Sequence, residues 1–265
     1  VLGSGVMGSG IACHLANVGI DVLMLDIQPK DKSIKNKNII ADESLKNAIK
    51  SRPNPLYKKE YASRITTGNF DDDFEKIKDA DWIIEVIVEN LEIKKTVFEK
   101  VEKYKSDHAF VTSNTSSIPI SLLCEGRSDN FKSKFCGTHF FNPPRYLRLF
   151  EVIPHTDSDP SLISFLMEFG DVILGKQTVL CKDTPGFIGN RIGVMCGIKS
   201  SQLTDKYKFK IEEVDLMTGS VIGLPNSGTF RLHDLVGLDT SNNVTNFLVN
   251  NVTNDSLYSK LKDEP

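Results

Sequence analysis

The sequence has no apolar run near the roughly 20 residues that a membrane-spanning helix needs, so no membrane span is expected; no basic segment followed by an apolar stretch opens it, and the native N-terminus, with any targeting signal on it, is expected to be missing. CxxC pairs are absent as well. The five cysteines (Cys13, Cys124, Cys136, Cys181 and Cys196) lie far apart and mostly within apolar runs, which argues against a disulfide framework and a structural metal site and fits a reducing, cytoplasmic compartment. Nor does one sign of charge dominate: a formal net charge of -3 leaves no basic field for nucleic acid or an anionic membrane surface. There is no internal repeat or low-complexity tract. What remains, 265 residues of which 40% are hydrophobic and 25% charged, is a globular composition with enough apolar material for one large core or two domains.

Short apolar runs alternate with segments of helical period through the first two thirds of the chain. Strands are expected near 1–2, 21–26, 64–67, 82–87, 110–113, 134–140, 149–153 and 178–181, with helices between most of them, among them 11–18 closed by Gly19, and 91–105. This alternation is the pattern of a mostly parallel sheet covered by helices. Residues 27–60 form a polar, lysine-rich excursion with a helical stretch near 43–50, too long for an ordinary connection and therefore either a functional arm or partly disordered. At Asp183-Thr184-Pro185-Gly186 the pattern changes. Thr184 or Asp183 can cap a helix with Pro185 in its first position, and beyond it the stretches 187–204, 211–221 and 227 onward all read as helical. The expectation is an α/β domain over 1–183 and a smaller all-α domain over 184–265. Only two residues precede the first glycine, where a strand of about five is usual, so the first strand is expected to be truncated and the helical domain, ending without a packing element, to be incomplete.

Gly3-Ser4-Gly5-Val6-Met7-Gly8 closes the first strand, an apolar helix follows it, and an acidic residue, Asp26, ends the next strand 18 residues after Gly8. Glycine turns are common, but this context is what dinucleotide binding requires. Gly3 permits the tight turn, Gly5 lets backbone approach a pyrophosphate, and Gly8 allows close contact between helix and strand. The helix start presents N–H groups and a positive dipole to the phosphates. The Asp26 carboxylate suits ribose hydroxyls and repels a 2′-phosphate, so the cofactor is expected to be NAD on a Rossmann-type sheet.

Substrate chemistry must come from elsewhere. Two polar clusters, Asn114-Thr115-Ser116-Ser117 and His139-Phe140-Phe141-Asn142-Pro143, sit just past strand ends, which line the ligand crevice of an open parallel sheet. Dehydrogenation of an alcohol needs a base for the hydroxyl proton, and of the five histidines His139 is the one so placed. Glu151 interrupts the apolar run Leu149-Phe150-Glu151-Val152-Ile153, where an unpaired carboxylate is costly. Pairing the two strands would give His139 an orienting carboxylate. The spacing fits equally a satisfied core histidine beside an outward-facing glutamate.

The runs SNTSS (113–117), GTHFFNP (137–143), EVI (151–153), KDTPGFIGNR (182–191), IEVIVENL (84–91) and VGLD (236–239) resemble the L-3-hydroxyacyl-CoA dehydrogenase family of fatty-acid β-oxidation, over essentially the whole chain. The likeness is greatest to the bacterial multifunctional type, in which the dehydrogenase region is linked to an enoyl-CoA hydratase region. It departs at Gly228-Thr229-Phe230, where the family often has Gly-Pro-Phe. The resemblance implies NAD-dependent oxidation of L-3-hydroxyacyl-CoA to 3-ketoacyl-CoA. It makes His139 the general base, Glu151 its orienting carboxylate, Ser116 the hydroxyl on the substrate 3-oxygen near the nicotinamide, and Asn190 a contact to the acyl end. Asn114, Glu89, Lys94 and Asn142 fall on the cofactor side. For the acyl-CoA phosphates the excursion offers Lys46 and Lys50 with Arg52, Lys58 and Lys59. Apolar segments at 221–224 and 232–238 point to a homodimer, and lysine and asparagine richness to a bacterial source. Two other readings share the scaffold: a dehydrogenase of free hydroxy acids or sugar acids, and a non-catalytic NAD-binding protein, the latter having no use for Ser116, His139, Glu151 and Asn190.

Overall fold

The computed structural model describes residues 1–252, 255 and 258, and divides into two compact units, Val1–Asp183 and Thr184–Pro265. In the first unit Leu2 is the seam of the sheet. It bridges in parallel to Leu25 on one side and to Glu85 on the other, its amide donating to the Ile84 carbonyl and its own carbonyl accepting from Val86. The order across the sheet is β2 (Ile65–Asn69), β1 (Val22–Asp26), the Leu2 segment, β3 (Trp82–Glu85), β4 (Phe110–Ser113), β5 (Phe135–Phe140), β6 (Leu149–Ile153) and β7 (Gln177–Leu180). Every pairing is parallel except β5 with β6. Strand direction thus reverses once, between β5 and β6.

Helices α1 (Val6–Asn17), α2 (Ile39–Lys50), α3 (Leu91–Tyr104), α4 (Ile120–Leu123), α5 (Asp129–Ser133) and α6 (Pro160–Val172) connect the strands. With helices on both faces of the sheet, all six residues of β5 are buried, His139 among them. The core joins Ile11 and Leu15 of α1, Met24 of β1, Ile84 of β3, Phe140 and Phe150 of β5 and β6, and Leu166 of α6. The result is the Rossmann-type sheet expected from the alternating pattern. In the second unit α7 (Gly189–Tyr207), α8 (Ile211–Met217), α9 (Phe230–Val236) and α10 (Leu238–Asn251) are all helical. There Leu248 and Val252 pack against Val194, Met195 and Ile198, and Arg191 pairs with Asp255 at 2.9 Å. Among the described residues no helix is long and apolar enough to cross a membrane.

Several boundaries differ from expectation, each for a local reason. α1 starts at Val6 rather than at residue 11, because the turn through Met7, Gly8 and Ser9 is already helical before the apolar period begins. The helix expected at Pro185 starts only at Gly189, after a turn in which Phe187 takes φ +48°. Asp183 caps another helix: its carboxylate accepts from Ile120 N at 2.8 Å and Ser121 N at 3.0 Å, at the start of α4, where the N-cap Pro119 makes no side-chain cap bond. The last helical stretch breaks at Gly237, φ +98°, into α9 and α10. The excursion is ordered: α2, 12 residues long, lays Ala41, Leu45, Ala48 and Ile49 against the core.

Candidate active site

The three glycines of the loop differ in their surroundings. Gly3 sits at φ +105° with its Cβ position 2.6 Å from the Val86 carbonyl oxygen, so a side chain there would be both strained and in collision with β3's exit. At Gly8 an added Cβ would strike the Gly3 carbonyl, whereas at Gly5 it would meet nothing within 4 Å. The helix that follows has no side-chain cap at Gly5, while Asn90 caps α3 and Asp159 caps α6. The first-turn amides of Val6, Met7 and Gly8 are therefore presented outward, as anion binding at a helix start requires. Asp26 closes the loop from β1, its Oδ2 accepting from both the amide and the hydroxyl of Ser4 at 2.6 Å. A cleft of about 560 Å³ opens beside the loop, lined by Gly5 and Val6, Asn47 of α2 and Ser51 just after it, and Asn142 and Arg145. Lys46 and Lys50 are exposed on α2 and do not line it.

His139 and Glu151 face each other in register across the antiparallel β5–β6 pair. The ring Nδ1 lies 2.7 Å from Glu151 Oε2, with the histidine 6% exposed and the glutamate wholly buried. A buried carboxylate on one ring nitrogen fixes the tautomer, stabilises an imidazolium and directs the other nitrogen outward from the pair. Asn114 ties the neighbouring strand ends together: its Oδ1 accepts from Phe140 N at 2.9 Å, and its own amide donates to Glu85 O at 2.9 Å. Beyond His139, Lys176 anchors the β5–β6 connection by donating to the carbonyls of Pro144 and Leu147. Its ammonium also lies 5.8 Å over the Phe140 ring, and burial pushes it down to about 8. Arg145 holds the same connection from the other side, donating to Asn54 O and Leu56 O and stacking 4.3 Å over Tyr57.

A second polar assembly lies under the turn at 113–117. Glu85 is fully buried at the end of β3 and accepts from Lys94 Nζ and Ser113 Oγ at 2.5 Å and from Ile87 N at 2.7 Å. Burial pushes its carboxyl up, against the pull of Lys94. Lys94 reaches on to Glu89 at 3.2 Å. Glu89 Oε1 in turn accepts from Thr115 Oγ1, Ser116 N, Ser117 N and Ser117 Oγ. Burial opposes ionisation of Glu89, but Lys94 and these hydroxyls hold its carboxyl below the usual range. Lys94 and Glu89, expected on the cofactor side, thus spend bonds on each other and on the turn. Ser116 is half-buried, and its hydroxyl makes no hydrogen bond among the described residues.

Asn114 and Ser116 follow β4, Glu89 follows β3 with Lys94 close behind it at the start of α3, and His139 lies near the end of β5 opposite Glu151 in the middle of β6. Asn142 follows two residues after β5 and borders the cleft. Asn190 is the second residue of α7, half-buried in the second unit. Sequence reasoning missed Glu85, Lys176 and Arg145. The signal for Glu85 was there: it ends the apolar run Trp82-Ile83-Ile84 as conspicuously as Glu151 interrupts its own.

Comparison with known proteins covers nearly the whole chain. Residues 1–184 match the model of the 3-hydroxyacyl-CoA dehydrogenase NAD binding domain, and residues 186–264 that of the 3-hydroxyacyl-CoA dehydrogenase C-terminal domain. A Bacillus subtilis relative named as a 3-hydroxyacyl-CoA dehydrogenase is 50% identical over 252 residues, 91% of this chain and 32% of the relative. A Rickettsia felis relative bearing the name of a fatty acid oxidation complex trifunctional enzyme is 40% identical over 98% of this chain and 36% of its own length. The chain thus spans about a third of these two relatives. The solved structure of (S)-3-hydroxybutyryl-CoA dehydrogenase PaaH1 from Ralstonia eutropha superposes with a TM-score of 0.76 at 28% identity, covering 99% of this chain and 90% of that one.

Proposed function

The chain belongs to the 3-hydroxyacyl-CoA dehydrogenase family, with that family's NAD-binding domain as its first unit, and from this premise we propose that it oxidises L-3-hydroxyacyl-CoA to 3-ketoacyl-CoA within fatty-acid β-oxidation. The observation that carries the proposal is the buried His139–Glu151 pair at 2.7 Å, set at the strand ends next to a turn whose Ser116 hydroxyl is uncommitted among the described residues. NAD, when bound, supplies the acceptor for the hydride that leaves the substrate's C3. The residues that fit it are the uncapped start of α1, Gly5 with its open Cβ position, and Asp26 toward the ribose. His139 takes the 3-hydroxyl proton on the ring nitrogen away from Glu151, and Glu151 stabilises the imidazolium so formed. Ser116 donates to the oxygen as it becomes a carbonyl. Asn190 serves the acyl end, and Asn142 the cofactor side.

Two assembly statements belong to the same proposal. A hydratase region accompanies this one in the full-length protein, as the length of the relatives supports. The helical unit dimerises through Leu216, Val221, Leu235 and Leu238, each at least 65% exposed. The decisive assay follows absorbance at the NADH band with acetoacetyl-CoA. The proposal expects NADH consumption by the intact protein, reduced about 10²–10⁴-fold in His139→Gln with NADH binding retained. Turnover of free hydroxy acids and none of acetoacetyl-CoA would replace it with a hydroxy-acid dehydrogenase. NADH binding without any turnover would leave a nucleotide-binding protein.

A further inference from the structure

The buried carboxylate of Glu85 touches neither the cleft nor the His139 pair, yet three donors converge on it. Strands β3 and β4 run parallel with Glu85 opposite Ser113, so one carboxylate oxygen meets the Ser113 hydroxyl while the other takes Lys94 and Ile87 N. Lys94, itself 1% exposed, then bridges to Glu89. The turn is in this way gripped at both ends: Ser113 by Glu85, and residues 115–117 by Glu89, with one ammonium between the two carboxylates. Four side-chain hydroxyls occur between 113 and 117. Those of Ser113, Thr115 and Ser117 are each consumed by one of these carboxylates. The remaining hydroxyl, on Ser116, makes no hydrogen bond among the described residues.

We infer that Glu85 is a positioning residue for Ser116, acting through Ser113 and through the Lys94–Glu89 bridge, so that this one hydroxyl is left for the reacting oxygen. The inference rests on the reading of Ser116 as the group that meets the substrate oxygen. The chemistry of the side chain makes it specific. Both oxygens of Glu85 accept, and a glutamine of the same shape offers only one acceptor, with an NH₂ that must face either Ser113 or the Lys94 and Ile87 donors. A buried donor then loses its acceptor, and the grip on one end of the turn fails.

The test uses Glu85→Gln and Ser116→Ala, alone and combined, in the intact protein with acetoacetyl-CoA and NADH, together with amide hydrogen exchange. Glu85→Gln is expected to lower kcat about tenfold to a hundredfold with a much smaller change in KM. In the Ser116→Ala background the same substitution should cost less than a further twofold, because the hydroxyl it positions is already gone. Multiplicative losses in the double variant would overturn the inference, since general loosening of the fold does not depend on Ser116. Exchange in the 113–118 segment should rise about tenfold while that of 135–140 stays unchanged; no rise overturns it, whatever the activity. If Glu85→Gln does not fold, Ser113→Ala deletes only the direct contact and should show a smaller loss that is again absent in the Ser116→Ala background. Failure of the wild type to reduce acetoacetyl-CoA sinks the functional reading alone, because the exchange measurement judges the positioning separately.

Discussion

Replacing Glu151 by glutamine keeps the volume of a wholly buried side chain and removes only its charge, which makes it the sharpest probe of the histidine pair. In the native protein Glu151 Oε2 lies 2.7 Å from His139 Nδ1, and in the proposed reaction the ring gains a positive charge as it takes the substrate proton. A hydrogen bond to a charged group contributes about 1.5–3 kcal/mol, and each 1.36 kcal/mol of lost transition-state stabilisation is a factor of ten. The expected fall in kcat is therefore roughly 10-fold to 150-fold. Because the charge develops only as the proton moves, kcat and kcat/KM should fall together. The dissociation constant of NADH, followed by its fluorescence, should stay within about twofold, since Glu151 does not line the cleft beside the glycine loop. Steady-state reduction of acetoacetyl-CoA at the NADH band gives the first two quantities. A kcat within threefold of wild type would refute the reasoning, because it would mean that the buried charge does nothing for the imidazolium.

Gly3→Ala should weaken NADH binding and lower Tm by several degrees, from a strained φ of +105° and a carbonyl 2.6 Å away. Gly5→Ala, with open space around it, should leave Tm unchanged in thermal melts and weaken only NADH binding about tenfold or more. Lys176 has its folded-state pKa lowered by burial from 10.5 to about 8; the unfolded chain binds more protons in that window, so this group makes the wild type more stable as pH rises from about 8 to 10.5. Lys176→Met should flatten that rise by roughly 3 kcal/mol in denaturant titrations, and an unchanged pH slope would contradict the burial argument. Leu216→Glu with Val221→Glu should shift the protein toward monomer in light scattering at unchanged helical content; a monomeric wild type would remove the dimer proposal.

The positions of the strands along the chain and the demand of Glu151 for a partner were legible because each rests on a local signal. An apolar run of strand length is buried on both faces, and a carboxylate inside such a run demands a partner; for Glu151 the spacing fits His139 across a strand pair and equally an outward-facing glutamate, and the 2.7 Å contact decides for the pair. The same demand applied to Glu85 and went unread, because its partners come from a different helix and a different strand: Lys94 lies nine residues on in α3, and Ser113 is 28 residues away on β4. Spacing along the chain does not show which parallel strands will be neighbours, nor that a lysine amid the charged residues of α3 turns inward. Capping was misassigned at Asp183 for a related reason. A carboxylate before a proline reads locally as a helix start, but its two acceptors were claimed by amides at 120 and 121, 63 and 62 residues earlier.

The misread residues share a physical type, and that type explains the architecture of the site. Buried charges are expensive to desolvate and return that cost only when every donor and acceptor is met, so a protein gains little stability from keeping Glu85, Lys94 and Glu151 in place of apolar side chains. What such groups do provide is geometry. Glu151 fixes one histidine tautomer, and Glu85 with Glu89 occupies every hydroxyl of the 113–117 turn except that of Ser116. The two assemblies are joined by Asn114, whose backbone amide bonds Glu85 O at the end of β3 and whose side chain bonds Phe140 N beside His139. His139 and Ser116, the proposed proton acceptor and carbonyl-stabilising hydroxyl, are then set by one continuous hydrogen-bonded frame across β3, β4, β5 and β6. A reaction that takes a proton and a hydride from adjacent atoms requires those two groups to hold a fixed separation, and a frame of buried charges supplies it where flexible surface side chains cannot.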